Sequence, residues 1–224
     1  MLHYIEVKNI YKQVNTAEGV LRILEDINLS VARSETLAIV GPSGSGKSTQ
    51  VPQFILEDAL SSQNASSTRI LVTQPRRIAA KSLAERVSYE RLEGPKNRTF
   101  NSKNRSVGYS VRFDSVKPRK EGGTIEYITT GILLKRFLNG DQGLKGISHV
   151  LIDEVHERDL NTDLLLVLMR DLLIQRQQEQ AANIPKLVLL SATLDASALT
   201  DYFLFRQTDS GIVLSSCSFT FCAM

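Results

Sequence analysis

Cysteine and tryptophan are the scarcest residues of this chain: its 224 residues include two Cys and no Trp. Both cysteines, Cys217 and Cys222, lie within the last eight residues, where a disulfide cannot staple a core. This distribution argues against a secreted, disulfide-built fold. We therefore expect a reducing intracellular compartment, either the nucleus or the cytoplasm.

Long apolar runs are also missing. The most apolar stretch, residues 164–169, is stopped by Arg170 and Asp171, so no membrane span is expected. His3, Glu6 and Lys8 interrupt any apolar start, which excludes a secretory signal. The three histidines are scattered without metal-ligand spacing, so we expect no zinc site. A net charge of +3 and a hydrophobic fraction of 42% leave a globular protein with a weak preference for anionic partners.

The string Gly-Pro-Ser-Gly-Ser-Gly-Lys-Ser-Thr occupies residues 41–49, directly after the apolar run at residues 37–40. It matches the phosphate-loop pattern in its required setting of buried strand, tight turn and helix. Glycines let backbone N–H groups turn toward a polyphosphate, and the following helix adds its positive dipole end. Lys47 is expected to lie against the β- and γ-phosphates, and the Ser48 hydroxyl to bind Mg²⁺. The predicted nucleoside-triphosphate site comprises Gly41, Ser43, Gly44, Ser45, Gly46, Lys47, Ser48 and Thr49.

A second constellation, Asp-Glu-Val-His-Glu-Arg at residues 153–158, follows the buried run at residues 149–152. Ligands of a doubly wound sheet collect outside the carboxyl ends of its strands, so these acids should face the phosphate loop across one crevice. Asp153 is expected to hold Mg²⁺, and Glu154 to orient and partly deprotonate the attacking water.

The hydrophobic period alternates between strand and helix from the phosphate loop onward, which predicts an α/β fold with a mostly parallel sheet flanked by helices. Two half-exposed strands near residues 4–8 and 27–31 should pair antiparallel before it. Pro52 should bend or loosen the helix after the phosphate loop. Residues 206–224 have no clear period. Three predicted helices carry inward apolar faces: Val51, Phe54, Ile55 and Ala59; Ile78, Leu83 and Val87; and Leu160, Leu164, Leu168 and Leu172.

Five segments occur in a family-specific order: residues 73–77 (Thr-Gln-Pro-Arg-Arg), 108–113 (Gly-Tyr-Ser-Val-Arg-Phe), 129–131 (Thr-Thr-Gly), 153–158 and 191–193 (Ser-Ala-Thr). In this order and register the chain resembles the DEAH/RHA (DExH-box) superfamily 2 RNA helicases, in particular the RNA helicase A and maleless group. The resemblance covers residues 41–203, and implies the first RecA-like domain of an ATP-dependent, P-loop NTPase.

The resemblance also implies roles for individual residues. Arg76 and Arg77, with Thr129, Thr130 and Gly131, correspond to segments that grip the sugar-phosphate backbone of RNA, with DNA as an alternative. Such contacts carry affinity and register without reading bases. Arg86 corresponds to a residue that stacks on adenine. His156 and the segment Ser191, Ala192 and Thr193 correspond to elements that couple the nucleotide state to the nucleic-acid surface.

The front of the chain resembles a different family. Residues 5–9 and 24–49 are similar to the start of an ABC transporter ATPase, but no Leu-Ser-Gly-Gly-Gln signature precedes Asp153. We therefore divide the chain into ABC-like strands at 1–34, a helicase ATP-binding domain at 35–205 and an unassigned tail at 206–224.

Three functions stay open on the sequence alone. The motif order favours an RNA helicase ATP-binding domain, working with a second RecA-like domain that could act in trans. Because the family takes its arginine fingers from that second domain, slow ATP turnover is expected of this chain by itself. The alternatives are an ABC-type ATPase that partners a membrane permease and a non-catalytic nucleotide-binding module.

Overall fold

The computed structural model describes residues 5–16, 19–31, 36–40, 44–93, 105–138, 144–179, 184–193, 199, 202–203 and 219–223. Within these residues the chain forms two sheets and four α-helices. In chain order the elements are β1 (Ile5–Thr16), β2 (Gly19–Val31), β3 (Thr36–Val40), α1 (Lys47–Ser61), β4 (Arg69–Gln74), α2 (Arg77–Glu90), β5 (Val107–Val111), β6 (Asp114–Val116), β7 (Thr124–Thr129), α3 (Thr130–Phe137), β8 (His149–Ile152), α4 (Leu160–Gln178), β9 (Lys186–Ser191) and β10 (Phe219–Ala223).

The larger sheet has the order β10-β3-β9-β8-β4-β7-β5-β6 among the described strands. Every neighbouring pair is parallel except β5 and β6, which form an antiparallel hairpin at one edge. The predicted mostly parallel sheet is therefore confirmed. Because these strands are parallel, their carboxyl-terminal ends lie along one edge of the sheet, and the segments that follow β3, β4, β7, β8 and β9 all begin there.

The core lies on both faces of this sheet. Alternate strand residues point to opposite faces, so Ile70 and Val72 of β4 join one cluster while Leu71 joins the other. Helices α1 and α2 cover the first face through residues such as Leu56 and Val87. Helices α3 and α4 cover the second face. Helices on both faces of a parallel sheet define the α/β class that the sequence predicts.

The two N-terminal strands form a separate antiparallel sheet, as predicted. β1 pairs with β2 from Ile5 opposite Val31 to Thr16 opposite Gly19, with register shifts along the way. Both strands are longer than the sequence pattern indicated. In the described part of the chain, no helix is long and apolar enough to cross a membrane.

Three predicted inward faces are wrong in part. Phe54 on α1 is 48% exposed and Ile78 on α2 is 80% exposed. On α4, Leu160 is 83% exposed, and the buried face instead contains Leu165 and Met169. The reason is that leucine occurs on several sides of α4, so spacing alone could not identify the side that packs on the sheet. The remaining exposed member of that predicted stripe is Leu164.

Two strands were not anticipated. The sequence pattern predicts one strand over residues 107–113, but β5 ends at Val111 and the chain turns through Phe113, whose φ of 68° is left-handed. The returning strand β6 pairs with β5 as a hairpin. β10 lies in the tail without a clear period and pairs parallel to β3.

Candidate nucleotide and nucleic-acid site

The phosphate-loop residues that the structure describes have the backbone that their glycines predict. Gly44 and Gly46 have φ values of 87° and 88°, a left-handed conformation that residues with side chains rarely adopt. Gly46 caps α1, and its carbonyl accepts hydrogen bonds from the N–H groups of Thr49 and Gln50. The Thr49 hydroxyl donates to the same carbonyl at 3.1 Å. Two other predicted members, Gly41 and Ser43, lie outside the described residues.

Lys47 and the Ser45 hydroxyl are buried and have the polarity to bind an anion. The side chain of Lys47, the first residue of α1, is 3% exposed. Among the described residues no carboxylate pairs with it. The Ser45 hydroxyl is likewise buried without a hydrogen-bond partner in that part of the chain. Buried hydroxyls are normally paired, and one beside a lysine that pairs with no described carboxylate fits an anionic ligand.

Asp153 lies at the carboxyl end of β8 and joins the phosphate loop. Asp153 is 1% exposed, and its carboxylate accepts hydrogen bonds from the Gln74 amide and the Glu154 N–H. Burial raises the pKa of Asp153, and the charge of Glu154 adds to that rise, although the nearby Ser48 hydroxyl and the two hydrogen bonds oppose it. The Ser48 hydroxyl and the Asp153 carboxylate therefore lie close together.

The side chains of Ser48 and Asp153 offer the kind of oxygen ligands that suit Mg²⁺. Hydroxyl and carboxylate oxygens are the ligands that Mg²⁺ prefers. A buried carboxylate that is desolvated and lies next to a second acid is also stabilised by a nearby cation. The residues present would hold the ion through Ser48 and Asp153, with Lys47 close by on the first turn of α1.

Glu154 and His156 occupy a tight turn after β8. Glu154 has a left-handed φ of 55° and precedes a 3-10 turn over Val155–Glu157. The Nδ1 atom of His156 lies 3.4 Å from a Glu154 carboxylate oxygen and 3.4 Å from the N–H of Ala192. A neutral ring that accepts at Nδ1 cannot also donate to Glu154 from that nitrogen. His156 therefore links the acidic turn to Ala192, which follows β9. Ser191, the last residue of β9, donates from Oγ to the Thr193 carbonyl at 2.8 Å.

Two exposed arginines follow β4, and the first of them contacts the acidic turn. Arg76 and Arg77 are exposed at the start of α2. Arg76 donates to Glu157 at 3.2 Å, and the two side chains are 76% and 31% exposed. One of the predicted nucleic-acid residues is thus already paired with a carboxylate of the acidic turn.

Thr129 and Thr130 are buried, at 9% and 4% exposure. Gly131, in the first turn of α3, is exposed. Any contact with a ligand here would therefore come from the backbone of this helix start rather than from the threonine side chains.

Helix α3 is held by an ion cluster around the buried Glu126 of β7. Arg136 donates to both carboxylate oxygens at 2.8 Å, and Lys117 and Ser110 also donate to this carboxylate. Burial alone would raise the pKa of Glu126, but Arg136, Lys117 and Ser110 together lower it below its usual value. The cluster fixes the last turn of α3 relative to the sheet.

A network that sequence reasoning missed surrounds Arg86. The guanidinium of Arg86 donates to Glu90 at 3.0 Å, and Glu90 also accepts from Gln50 and Gln53 of α1 at 2.9 and 2.8 Å. Gln53 donates in addition to the Thr49 carbonyl. Glu90 thereby ties the predicted adenine-contacting residue to the helix of the phosphate loop. The i,i+4 spacing of Arg86 and Glu90 in the sequence could have predicted the ion pair between them.

The hairpin tip between β5 and β6 was also missed as a surface feature. Phe113 is 88% exposed, and the Arg112 guanidinium lies 4.8 Å from the centre of its ring. Because β5 runs parallel to β7, this tip emerges at the same edge of the sheet as the segments described above. An exposed aromatic ring beside a cation is a feature of surfaces that contact nucleic acids.

Comparison with known proteins gives consistent results. The model of the DEAD/DEAH box helicase family matches residues 22–202. The DExH-box ATP-dependent RNA helicase DExH1 of Arabidopsis thaliana is 41% identical over 182 residues, which are 81% of this chain and 17% of that protein. The putative ATP-dependent RNA helicase DHX57 of Homo sapiens is 43% identical over 171 residues, 76% of this chain and 11% of that protein. The ATP-dependent DNA/RNA helicase DHX36 of Homo sapiens is 41% identical over 202 residues, 90% of this chain and 18% of that protein.

The chain thus spans less than a fifth of the length of these relatives. The family match begins at residue 22 and therefore includes part of the segment that is similar to ABC transporter ATPases. It covers most of the chain and confirms both the helicase resemblance and the RecA-like α/β fold class. This protein belongs to the DEAD/DEAH box helicase family.

Proposed function

We propose that this chain is the ATP-binding, first RecA-like domain of an ATP-dependent RNA helicase. The observation that carries the proposal is the meeting of the phosphate-loop helix with the acidic end of β8, where the Ser48 hydroxyl lies near the buried Asp153 carboxylate. Lys47, the residue before Ser48, is 3% exposed and supplies the positive charge that a triphosphate requires. Lys47, Ser48 and Asp153 come from two segments that lie more than 100 residues apart in the sequence. A plain surface turn would be built from one segment only.

The proposed division of labour follows from the chemistry of each residue. Lys47 and the first N–H groups of α1 bind the β- and γ-phosphates, and the left-handed glycines keep side chains out of their way. Magnesium, when bound, neutralises charge between the phosphate oxygens. Ser48 and Asp153 would provide the oxygen ligands for the magnesium ion. Glu154 orients water for attack on the γ-phosphate and accepts its proton.

The nucleic-acid contacts are assigned to the exposed residues at the same edge. Arg76 and Arg77 offer guanidinium groups to phosphates, and the backbone around Gly131 offers N–H groups. His156 couples the acidic turn to Ser191, Ala192 and Thr193. Contacts of this kind bind the sugar-phosphate backbone irrespective of sequence, and one relative named as a DNA/RNA helicase leaves DNA as an alternative ligand.

A second RecA-like domain is proposed to complete the site, in the same polypeptide or in trans. It would supply the arginine fingers, which are worth about 10³–10⁵ in rate in phosphoryl transfer. This chain by itself should therefore bind ATP, hydrolyse it very slowly and unwind nothing. Brisk RNA-stimulated hydrolysis by the purified monomer would overturn this part of the proposal.

The test compares the wild type with Glu154→Gln, with the exposed Glu121→Gln as the matched control. Single-turnover ATP hydrolysis should fall by about 100-fold in the first variant and stay unchanged in the second. Both should keep the wild-type affinity for ATP and for single-stranded RNA, and the RNA affinity should weaken steeply with salt.

Two results would favour the other functions that the sequence left open. Co-purification with a membrane subunit, without RNA binding, would favour an ABC-type ATPase. ATP binding that no RNA or added helicase domain converts into hydrolysis would favour a non-catalytic module. Either result would replace the helicase proposal.

A further inference from the structure

Pro52 leaves one carbonyl of α1 without its usual donor. In an α-helix the N–H of residue 52 donates to the carbonyl of residue 48, and proline has no N–H. Helix α1 nevertheless continues from Lys47 to Ser61, and Pro52 is buried within it. Because a buried carbonyl needs a partner, the Ser48 carbonyl must find a donor outside the helix.

Tyr127 supplies that donor from the sheet. Its hydroxyl donates to the Ser48 carbonyl at 2.8 Å, and its side chain is fully buried. Tyr127 lies on β7, whereas α1 follows β3, and β9, β8 and β4 lie between these two strands in the sheet. The hydrogen bond therefore joins α1 to a strand that is distant from β3. Burial raises the pKa of Tyr127, and the charges of Asp153 and Glu90 raise it further. The phenol therefore keeps its proton and remains a donor across the physiological pH range.

Ser48 therefore lies between two buried groups. Its carbonyl accepts a hydrogen bond from Tyr127, and its hydroxyl lies near the Asp153 carboxylate. We propose that Tyr127 is a positioning residue for the magnesium–phosphate site, because its hydroxyl replaces the helix hydrogen bond lost at Pro52 and thus keeps the Ser48 hydroxyl facing Asp153. This inference rests on the proposed function, since it requires Ser48 to act on a magnesium-bound nucleotide.

A role of Tyr127 at the metal should be visible as a difference between nucleotide binding with Mg²⁺ and without it. Ser48 acts on the nucleotide through the metal, whereas Lys47 acts on the phosphates directly. Loss of the Tyr127 hydroxyl should therefore weaken nucleotide binding in the presence of Mg²⁺ and leave binding in its absence unchanged. A residue that only stabilises the core has no reason to separate these two conditions.

The experiment measures ATP affinity of the full 224-residue chain in excess Mg²⁺ and in EDTA. Tyr127→Phe should weaken binding in Mg²⁺ by about three- to tenfold, the effect of one hydrogen bond, without a change in EDTA. Tyr109→Phe is the matched control, because Tyr109 is 3% exposed and its hydroxyl bonds to Asp114, away from α1. It should change neither affinity. Equal loss in both buffers, or no loss in Mg²⁺, overturns the proposal.

A second variant removes the cause of the contact. In a Pro52→Ala background the new N–H of residue 52 can donate to Ser48, so adding Tyr127→Phe should change Mg²⁺-dependent affinity by less than about twofold. An undiminished effect in that background overturns the proposal. If Tyr127→Phe alone does not fold, this pair of Pro52→Ala proteins still decides: equal affinity supports the proposal, and a loss contradicts it.

Ser48→Ala separates the two levels of inference. If Ser48→Ala loses its Mg²⁺-dependent affinity while Tyr127→Phe keeps it, the positioning role is wrong and the proposed function stands. If Ser48→Ala keeps full Mg²⁺-dependent affinity, the proposed function of that residue fails, and the role of Tyr127 fails with it.

Discussion

A drop in pH should destabilise this protein through His149, the first residue of β8. His149 is partly buried, and Ser148 Oγ lies 2.8 Å from its Nδ1. Burial, with the positive charge of Lys186 second, lowers the pKa of His149 from 6.5 to about 3. The unfolded chain binds a proton here below pH 6.5, and the folded chain does not until about pH 3. Folding stability is therefore present above pH 6.5 and is lost as the pH falls toward 3.

The size of the effect follows from the interval of pH. Each pH unit across which only the unfolded state is protonated costs about 1.4 kcal/mol, so a change from pH 7.5 to pH 5 costs about 2 kcal/mol. Solvent at this end of the strand reduces that figure, and we expect about 1–2 kcal/mol. Urea unfolding at the two pH values measures it, because the midpoint shifts while the slope stays constant.

His149→Asn provides the comparison. This variant removes the titrating ring and keeps a polar side chain beside Ser148. Its loss of stability at pH 7.5 measures packing and hydrogen bonding, and only its further change at pH 5 concerns the proton. All carboxylates titrate in both proteins and cancel in the comparison. If the variant loses as much stability between pH 7.5 and pH 5 as the wild type does, the reasoning about His149 is refuted.

Three further predictions concern the core, the nucleic-acid edge and the N-terminal strands. Glu126→Gln should cost about 3 kcal/mol in urea unfolding, because it leaves the partly buried Arg136 guanidinium without its carboxylate, whereas the exposed Glu121→Gln should change stability by less than about 0.5 kcal/mol. Glu157→Gln should raise the affinity for single-stranded RNA by about threefold in fluorescence anisotropy, because it frees Arg76 from its ion pair, and the gain should vanish in Arg76→Ala; a gain that persists there contradicts this contact. Amides of β1 and β2 should exchange faster than those of β4 and β8 in hydrogen-exchange mass spectrometry, because a two-stranded sheet is marginally stable; equal protection would count against it.

The order of the motifs was enough to predict that the phosphate-loop helix and the acidic segment meet at the carboxyl-terminal ends of the parallel strands. Asp153 had to follow a buried strand and Ser48 had to begin a helix, and parallel strands bring those ends together. Glycine at residues 44 and 46 was required by a left-handed backbone, which the structure shows at both. These features were predictable because each depends on local chemistry and on the direction of the strands.

The contacts between elements could not be predicted in the same way. Glu90 meets Gln50 and Gln53 across some 40 residues of sequence, and that meeting depends on how α1 and α2 pack on the sheet. The Tyr127 hydroxyl reaches Ser48 for the same reason. Burial was misjudged where a helix is apolar on several sides, as in α4, because packing selects the buried side after the pattern has allowed more than one.

The proposed nucleotide site depends most directly on Lys47, a buried residue, as the one that binds a triphosphate. The deciding measurement is the ATP affinity of Lys47→Ala, with the exposed Lys145→Ala as the matched control. Loss of a charge-assisted hydrogen bond predicts a weakening of about tenfold or more for the first variant and none for the second. An ATP affinity of Lys47→Ala equal to that of the wild type would contradict the proposed nucleotide site.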